Sequence, residues 1–581
     1  MTDRIAFDFI QNDPSVNSGC VQAMTGACAG ESFFREHDGK RYCVLHLPDA
    51  DKKEAFDVAA KRKLESQDFN YREVWFPNKP RFGRIQIDKP LDFSYAVLND
   101  GVSFSGTTFR SEVKFEGATF IEDAQFGGAI FAEKVDFKSV TFHKKADFNR
   151  AKFEACADFW RCKFIGDAEF RDTVFLQTAS FWPSIFNSTA SFSNASFARA
   201  NFGASEFDGK VIFMWCAFGL AEFIGTSFRD DADFSFSKFE GMANFIGATF
   251  DSTLQLKMNS FGSEARFRMA TFNGKADFSY TVFKSIVSFS AEHGIGGFGA
   301  NAACDFRHVR FESPRQVSFH GLTLRPHWFL ILDPREFEFI DVRWIGQLRL
   351  RVMDIEIGNL RKRDELERKG AADNRARRLR EPELFGDQVA VEELKEEEVE
   401  AARIEASELN QRDARFCRLL SLACRQLALN AEENHRYDQG SDFRFWSMEL
   451  QRKEGWKVRG NIIGVLHVLY RILSGYGERI GLALGWLLGI WLLFAVLYTY
   501  VGFVRPPFPP APAAPVYTTD EAGMPQRLSK ALVYSLAVIT LQRPDPRPLT
   551  TTAWSLVLAE TILGPIQAAL LILAVRRRFM R

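Results

Sequence analysis

Four side chains near the start of the chain have the types and spacing of a metal site. Cys20, Cys28, Cys43 and His46 follow the pattern C-x7-C-x14-C-x2-H. Three thiolates and one imidazole suit tetrahedral Zn²⁺, which takes sulfur and nitrogen donors together. With every ligand position filled by protein, such an ion would be structural rather than catalytic. The alternative is a set of ordinary reduced cysteines in a small domain. His37 is a spare imidazole, but it lies mid-loop. No nucleophile–base pair, phosphate loop or open metal site stands at a recognisable spacing elsewhere, so an enzyme is not expected.

A second group lies in the last hundred residues. Glu560 interrupts the apolar run from Thr551 to Val575. A carboxylate inside such a run is expensive and often functional. It faces either a wet vestibule or a neighbouring helix. Gly564 follows one turn later. Upstream, the short apolar stretch Leu528–Leu541 leads into Thr540-Leu541-Gln542-Arg543-Pro544-Asp545-Pro546-Arg547-Pro548.

The apolar runs set the frame for this group. Ile480–Val504 contains no charge, which is long enough to cross a bilayer, with Trp and Tyr near its ends. The second run ends in Arg576-Arg577-Arg578-Phe579-Met580-Arg581, a cytoplasmic stop by the positive-inside rule. Two spans put both chain ends on one side. Met1–Ile10 has no apolar core, so no secretory signal is read there. The thiol-bearing N-terminal bulk and both termini are therefore expected in the cytoplasm. The lipid bilayer is the first expected partner.

The rest of the chain is dominated by one residue type. Of 581 residues 59 are Phe, far above ordinary usage, which implies a repeated core position. From Phe93 to Phe289 an apolar residue returns every five or six positions. There are 37 such positions; Leu98 and Leu256 fill two and Phe the other 35. Phe104, Phe115, Phe126, Phe137, Phe148, Phe159 and Phe170 mark one eleven-residue unit, roughly Ala-Asp-Phe-x-x-Ala-x-Phe. Neither the 3.6 period of a helix nor the 2 of a strand fits. A chain that turns a corner every five residues does, with four sides making one coil of about twenty residues.

This pattern resembles the pentapeptide-repeat proteins over about residues 91–345. The resemblance implies a right-handed quadrilateral β-helix of about nine or ten coils, on the order of 45 Å long. Residues 304–345 break the repeat and are expected to form strands that close its open end. Some members of this family resemble B-form DNA and bind topoisomerases. That requires strong negative charge, whereas residues 91–300 hold 25 Asp+Glu against 20 Lys+Arg. A rod that spaces or binds a protein partner is the leading reading, and nucleic acid is not an expected partner. The global charge is zero, with 74 basic and 74 acidic residues, and names no partner.

The C-terminal order of span, short helix, loop, span and basic tail is similar to the two-transmembrane pore module of potassium channels. Ala531–Leu541 is similar to that family's pore helix and filter start. Glu560-Thr-Ile-Leu-Gly564 is similar to its inner helix. The resemblance covers about residues 476–581 and implies a homotetramer around an axial pore. The filter departs from the family's Thr-Val-Gly-Tyr-Gly: Gly is absent, three Pro fix φ, and Arg543 would form a cation-repelling ring. The Gly475-Tyr476-Gly477 triplet carries the filter's letters, but no span precedes it. It reads as a turn after an interfacial helix.

The expected organisation is a zinc-binding module over 1–66 and the β-helix with its cap over 67–345. A charged insertion (346–410), a helical linker turning near Gly440 (411–475) and the transmembrane module with a re-entrant pore helix (476–581) complete it. The function expected is a channel-like membrane protein with a cytoplasmic rod for sensing or tethering. The alternatives are a membrane-anchored scaffold and, third, a topoisomerase-binding DNA mimic.

Overall fold

Strands of two residues stack in parallel register, one coil apart. Thr119 pairs with Thr141 and Phe120 with Phe142, while Ala124 pairs with Ala146. In the computed structural model, residues 27–28, 31, 33–80, 82–300, 302–344, 358, 361, 365, 409–458, 461–501, 503–504, 524–542, 547–548 and 550–579 are described. The chain divides into two compact units, Met1–Leu332 with Glu336–Trp344, and Asp333–Arg335 with Ile345–Arg581.

The first unit is a β-solenoid of about 12 turns, more than the nine or ten expected. The Phe count missed coils that lack Phe at the expected steps. Trp75–Phe76 already pairs with Val97–Leu98 at one end, and Glu338–Ile340 stacks on Val317–His320 at the other. At the usual strand spacing the stack is on the order of 55 Å long. Sides of five and six residues give a 22-residue coil. From Thr178 to Phe218 the coil is one residue shorter: Phe186 pairs with Phe207 at a separation of 21, as Ser184 does with Ser205, and the separation returns to 22 at Ala221–Ala243. Two faces are sheets of 11 and 10 strands among the described residues. The other two merge into one of 20 strands, because Val174–Ser180, Ser196–Asn201 and Ala217–Glu222 run extended through their corner.

The strand spacing dictates the core. Phe126 lies flat on Phe148 at 4.7 Å with 1° between planes, and Phe137 likewise on Phe159 at 4.7 Å and 3°. Across the interior, Phe126 meets Phe137 edge-on at 5.5 Å and 89°. Each ring thus makes both favoured aromatic geometries, worth about 0.5–1.5 kcal/mol per pair beyond burial. Ala146, Ala157 and Ala168, two positions before their Phe, are buried in the space that remains.

Residues 304–344 continue the stack before closing it. Ala303–Asp305 and Val317–His320 add parallel strands, and the 3-10 turn Pro326–Phe329 swings Trp328 against Phe298 at 4.8 Å. The other end carries a hairpin, β1 (Phe33–His37) and β2 (Lys40–Cys43), and helix α1 (Lys53–Glu65). Phe56 of α1 packs edge-on against Phe76 of the first coil at 5.2 Å.

The second unit is helical. Helices α2 (Leu409–Glu433) and α3 (Tyr437–Val458) form the expected pair, but the break falls at 434–436, not near Gly440. His435 takes φ of 58°, and Arg436 N–H returns to the Ala431 carbonyl at 2.7 Å, which ends α2. Gly440 sits inside α3, where an added Cβ would lie 3.0 Å from Glu432 Cγ; it permits close packing. Helix α4 (Asn461–Ser474) ends in a turn through Gly475–Gly477. Helices α5 (Ile480–Tyr498) and α7 (Thr551–Phe579) are long and apolar enough to cross a membrane. Between them α6 (Met524–Ile539) starts four residues before the expected Leu528. The charged stretch 366–408 lies outside the described residues.

Candidate functional sites

The metal candidates converge at the N-terminal end of the solenoid. Cys28, Cys43 and His46 are 5%, 0% and 3% exposed, and their ligand atoms all lie within 4.8 Å of one another. Cys43 ends β2, and a turn closed by His46 N–H on the Cys43 carbonyl at 3.2 Å brings His46 back over it. His46 Nδ1 is 3.0 Å from Cys43 Sγ and 3.5 Å from Cys28 Sγ, and the two sulfurs are 3.7 Å apart. On the far side of the ring, Nε2 lies 3.3 Å from the Arg72 carbonyl. Cys20 lies outside the described residues. His37 is not mid-loop: it ends β1, stands beside Asp38 and is not part of the cluster.

In the second unit, α5, α6 and α7 pack on one another around Glu560. This residue is 0% exposed. It accepts from the Tyr498 hydroxyl at 2.5 Å and from the Ser535 hydroxyl, so it joins α5 and α6 to α7. Ser535 also donates to the Trp491 carbonyl at 3.1 Å, and Trp491 Nε1 donates to the Leu532 carbonyl at 2.9 Å. Ala531 packs among Phe494, Ala495 and Tyr498 near the end of α5. Helix α6 therefore runs back along α5 from its last turn towards its middle. Its last residue, Ile539, abuts Gly564, where an added Cβ would lie 2.9 Å from Ile539 Cγ1. Gly564 stands about 20 Å along α7 from its start.

The expected filter start has a local structural role. Thr540 Oγ1 donates to the Leu536 carbonyl at 2.9 Å, Leu541 N–H to Val538 at 3.0 Å, and Gln542 N–H to Ala537 at 2.8 Å. With Leu541 at φ of 61° this is a Schellman closure of α6. Arg543, Pro544 and Asp545 lie outside the described residues. Just beyond, Phe503–Val504 and Arg547–Pro548 pair antiparallel.

Sequence reading did not find the contact around Tyr476. Its hydroxyl donates to Glu449 Oε2 at 2.9 Å, and its carbonyl accepts from Arg577 at 2.8 Å. Glu449 also receives Arg452 at 2.6 Å and faces Arg471 at 3.6 Å. Burial alone would raise the Glu449 carboxyl, but the hydrogen bonds from Arg452 and Tyr476, with both arginine charges, hold it below its usual range. Burial, then the Glu449 charge, pushes the Tyr476 phenol well up. The signal was the left-handed triplet itself: Gly475, Tyr476 and Gly477 all have positive φ, and a bulky residue there is held by its surroundings.

A corner of the solenoid was also unforeseen. Trp215, Phe236, Met258 and Tyr280 succeed one another there at positive φ and are exposed, with Trp215 stacked on Phe236 at 4.5 Å. Upstream coils place Arg84, Gly106, Gly128, Arg150, Asp172 and Asn194 at the same corner, of which the two Gly, the Asp and the Asn take this conformation with less strain.

The solenoid, with its stacked Phe columns and coils of 21 or 22 residues up to Phe272, defines a repeat protein of the four-sided β-solenoid class. Residues 93–141 and 137–185 match the family model of pentapeptide repeats (9 copies), so the chain carries pentapeptide repeats together with two helices apolar enough to cross a membrane. The matched segment ends at the coil where the 21-residue spacing begins. Comparison with curated proteins and with solved structures gave no match.

Proposed function

We propose that this chain is the subunit of a channel-like membrane assembly. Helices α5 and α7 cross the bilayer, α6 enters and returns on one side, and four copies surround an axis. The solenoid then lies in the cytoplasm with both chain ends and serves as a tethering or sensing rod. The observation that carries the reading is the pairing of Phe503–Val504 with Arg547–Pro548. The segment holding α6 leaves and rejoins at one level, while Ile539 reaches Gly564 about 20 Å along α7. The apolar faces support it too: Leu484, Leu488, Leu492, Leu558, Ile562 and Ile566 are exposed, a surface suited to lipid or to neighbouring copies.

The test is current across a planar bilayer from purified full-length protein, with the cation and the anion substituted in turn. Unitary steps are expected. A silent bilayer, with protein shown to be inserted, would overturn the reading.

A membrane-anchored scaffold is the second reading. The Schellman closure at Thr540–Gln542 favours it, because those amides close α6 on the carbonyls of Leu536, Ala537 and Val538 and Leu541 is held at positive φ. A protein retained by immobilised solenoid, together with a silent bilayer, would select it.

A further inference from the structure

We propose that Cys28, Cys43 and His46 bind a zinc ion that staples the N-terminal cap to the first coil of the solenoid. The geometry of the donors points to this. A tetrahedral ion with the usual Zn–S and Zn–N lengths holds sulfurs about 3.8 Å apart and sulfur and nitrogen about 3.5 Å apart. The Cys28–Cys43 sulfurs are 3.7 Å apart and the Cys28 sulfur is 3.5 Å from His46 Nδ1. The Cys43–His46 edge is shorter, at 3.0 Å. Sulfurs at this separation are not bonded to each other, and neither cysteine is in a disulfide.

The imidazole is set for the role. A carbonyl can only accept, so the contact of Nε2 with the Arg72 carbonyl puts the ring proton on Nε2. That leaves the Nδ1 lone pair directed at the two sulfurs. Metal-bound histidines are commonly oriented in this way through their other nitrogen. All three ligands are buried, where uncompensated thiolates would be costly and a dication offsets them.

The consequence lies in what these ligands join. Cys28 sits in the loop whose Ala27 carbonyl accepts from Lys63 of α1 at 3.2 Å. The Cys43–His46 turn carries Leu45, whose carbonyl accepts from Trp75 N–H of the first coil at 3.1 Å and from Lys52 at 2.9 Å. Arg72, behind the imidazole, lies in that coil, between Tyr71 and Glu73, whose amides donate to Asp92 and Ser94 of the next. One ion therefore fixes a loop, a hairpin end and the first coil at a single point, in a cap too small to build a large core of its own.

The test is metal analysis of the full-length protein purified in detergent from zinc-replete cells, paired with Co²⁺ substitution. About one zinc per chain is expected, and sulfur-to-cobalt charge transfer in the absorption spectrum. Cys43→Ser and Cys28→Ser should lose at least about nine-tenths of the metal, while Cys156→Ser, an exposed cysteine in the solenoid, keeps it. To separate ligand loss from misfolding of a serine variant, His46→Cys is the second arm: it should retain the ion with stronger charge transfer. Wild-type protein without stoichiometric metal, metal retained by the Cys28→Ser/Cys43→Ser double variant, or a Cys28–Cys43 disulfide found by mass mapping would each overturn the proposal. None of these readouts depends on conduction.

Discussion

The hydroxyl of Tyr476 donates to Glu449 Oε2 at 2.9 Å, linking the turn before α5 to the middle of α3. Through its carbonyl the same residue holds Arg577 at 2.8 Å, close to the end of α7. Glu478 completes the contact, accepting from Ser441 of α3 at 2.9 Å and facing Arg577 at 3.3 Å. The linker helices are thus fastened to the same ends of α5 and α7. If those helices line a pore, force from the linker enters at this turn.

Removing the hydroxyl tests that fastening. Tyr476→Phe takes one donor from a charged acceptor and should destabilise the helical unit by about 1.5 kcal/mol. Glu449→Gln should cost more, about 2–3 kcal/mol, because Arg452 and Arg471 lose their carboxylate. The double variant should cost less than the sum, as shared contacts do. Denaturant melts of the detergent-solubilised chain measure all three.

Acid should act on the same carboxylate. Glu449 is held below its usual range when folded and returns to about 4.3 when unfolded. A lowered folded value gives stability that is fully present above the unfolded one and is lost as pH falls through the folded one. Below about pH 4.3 the melting temperature of the wild type should fall more steeply than that of Glu449→Gln. Parallel acid limbs would assign the stability to other groups.

The sequence made the solenoid legible because its periodicity is written in one residue type. Thirty-seven inward positions in register leave few alternative folds. Where the coils use Tyr71 or Ile87 instead of Phe at the expected step, the pattern lost its marker and the count of turns fell short. The Cys28, Cys43 and His46 donors were legible from residue type alone, but the Arg72 carbonyl behind His46 was not, since a backbone acceptor leaves no trace in composition. Glu449 looked like a charge paired along its own helix with Arg452; only the chain's return brings Arg471 and Tyr476 to it. Gly440 misled for a related reason: glycine marks turns and close approaches alike.

The Phe columns predict a localised loss. Phe148→Ala removes a ring stacked on Phe126 and Phe170, both at 4.7 Å, and should cost about 3–5 kcal/mol. In a stacked repeat each coil touches only its neighbours, so the damage should stay near the altered coil. Hydrogen exchange should speed up around residues 126–170 and remain unchanged near Phe289. Uniform acceleration along the solenoid would mean that it unfolds as one cooperative body.

Glu560 accepts from two hydroxyls, one on each neighbouring helix. Glu560→Leu would leave the Tyr498 and Ser535 hydroxyls without it, at about 1–3 kcal/mol each, partly relieved because Ser535 keeps the Trp491 carbonyl. Glu560→Gln keeps an acceptor and should be much milder. Thermal stability in detergent and the yield of assembled protein separate the two variants. Equal loss would show that the charge matters more than the hydrogen bonds.

The depth of α6 depends on a residue with no side chain. An added Cβ at Gly564 would lie 2.9 Å from Ile539 Cγ1 and 3.3 Å from its Cβ, closer than real contacts allow. Gly564→Ala should push the end of α6 away from α7, since Ile539 is branched at Cβ and has little rotamer freedom. Ile539→Ala removes the opposing carbons, so the pair Gly564→Ala/Ile539→Ala should recover what Gly564→Ala loses, apart from the cavity cost of the smaller side chain. The measurement is bilayer current together with the distance between spin labels on Val533 and Leu558, both exposed. A longer distance and altered current in Gly564→Ala, both restored in the pair, would tie the position of α6 to conduction. A current that changes while the distance does not would place the effect of Gly564 elsewhere on α7.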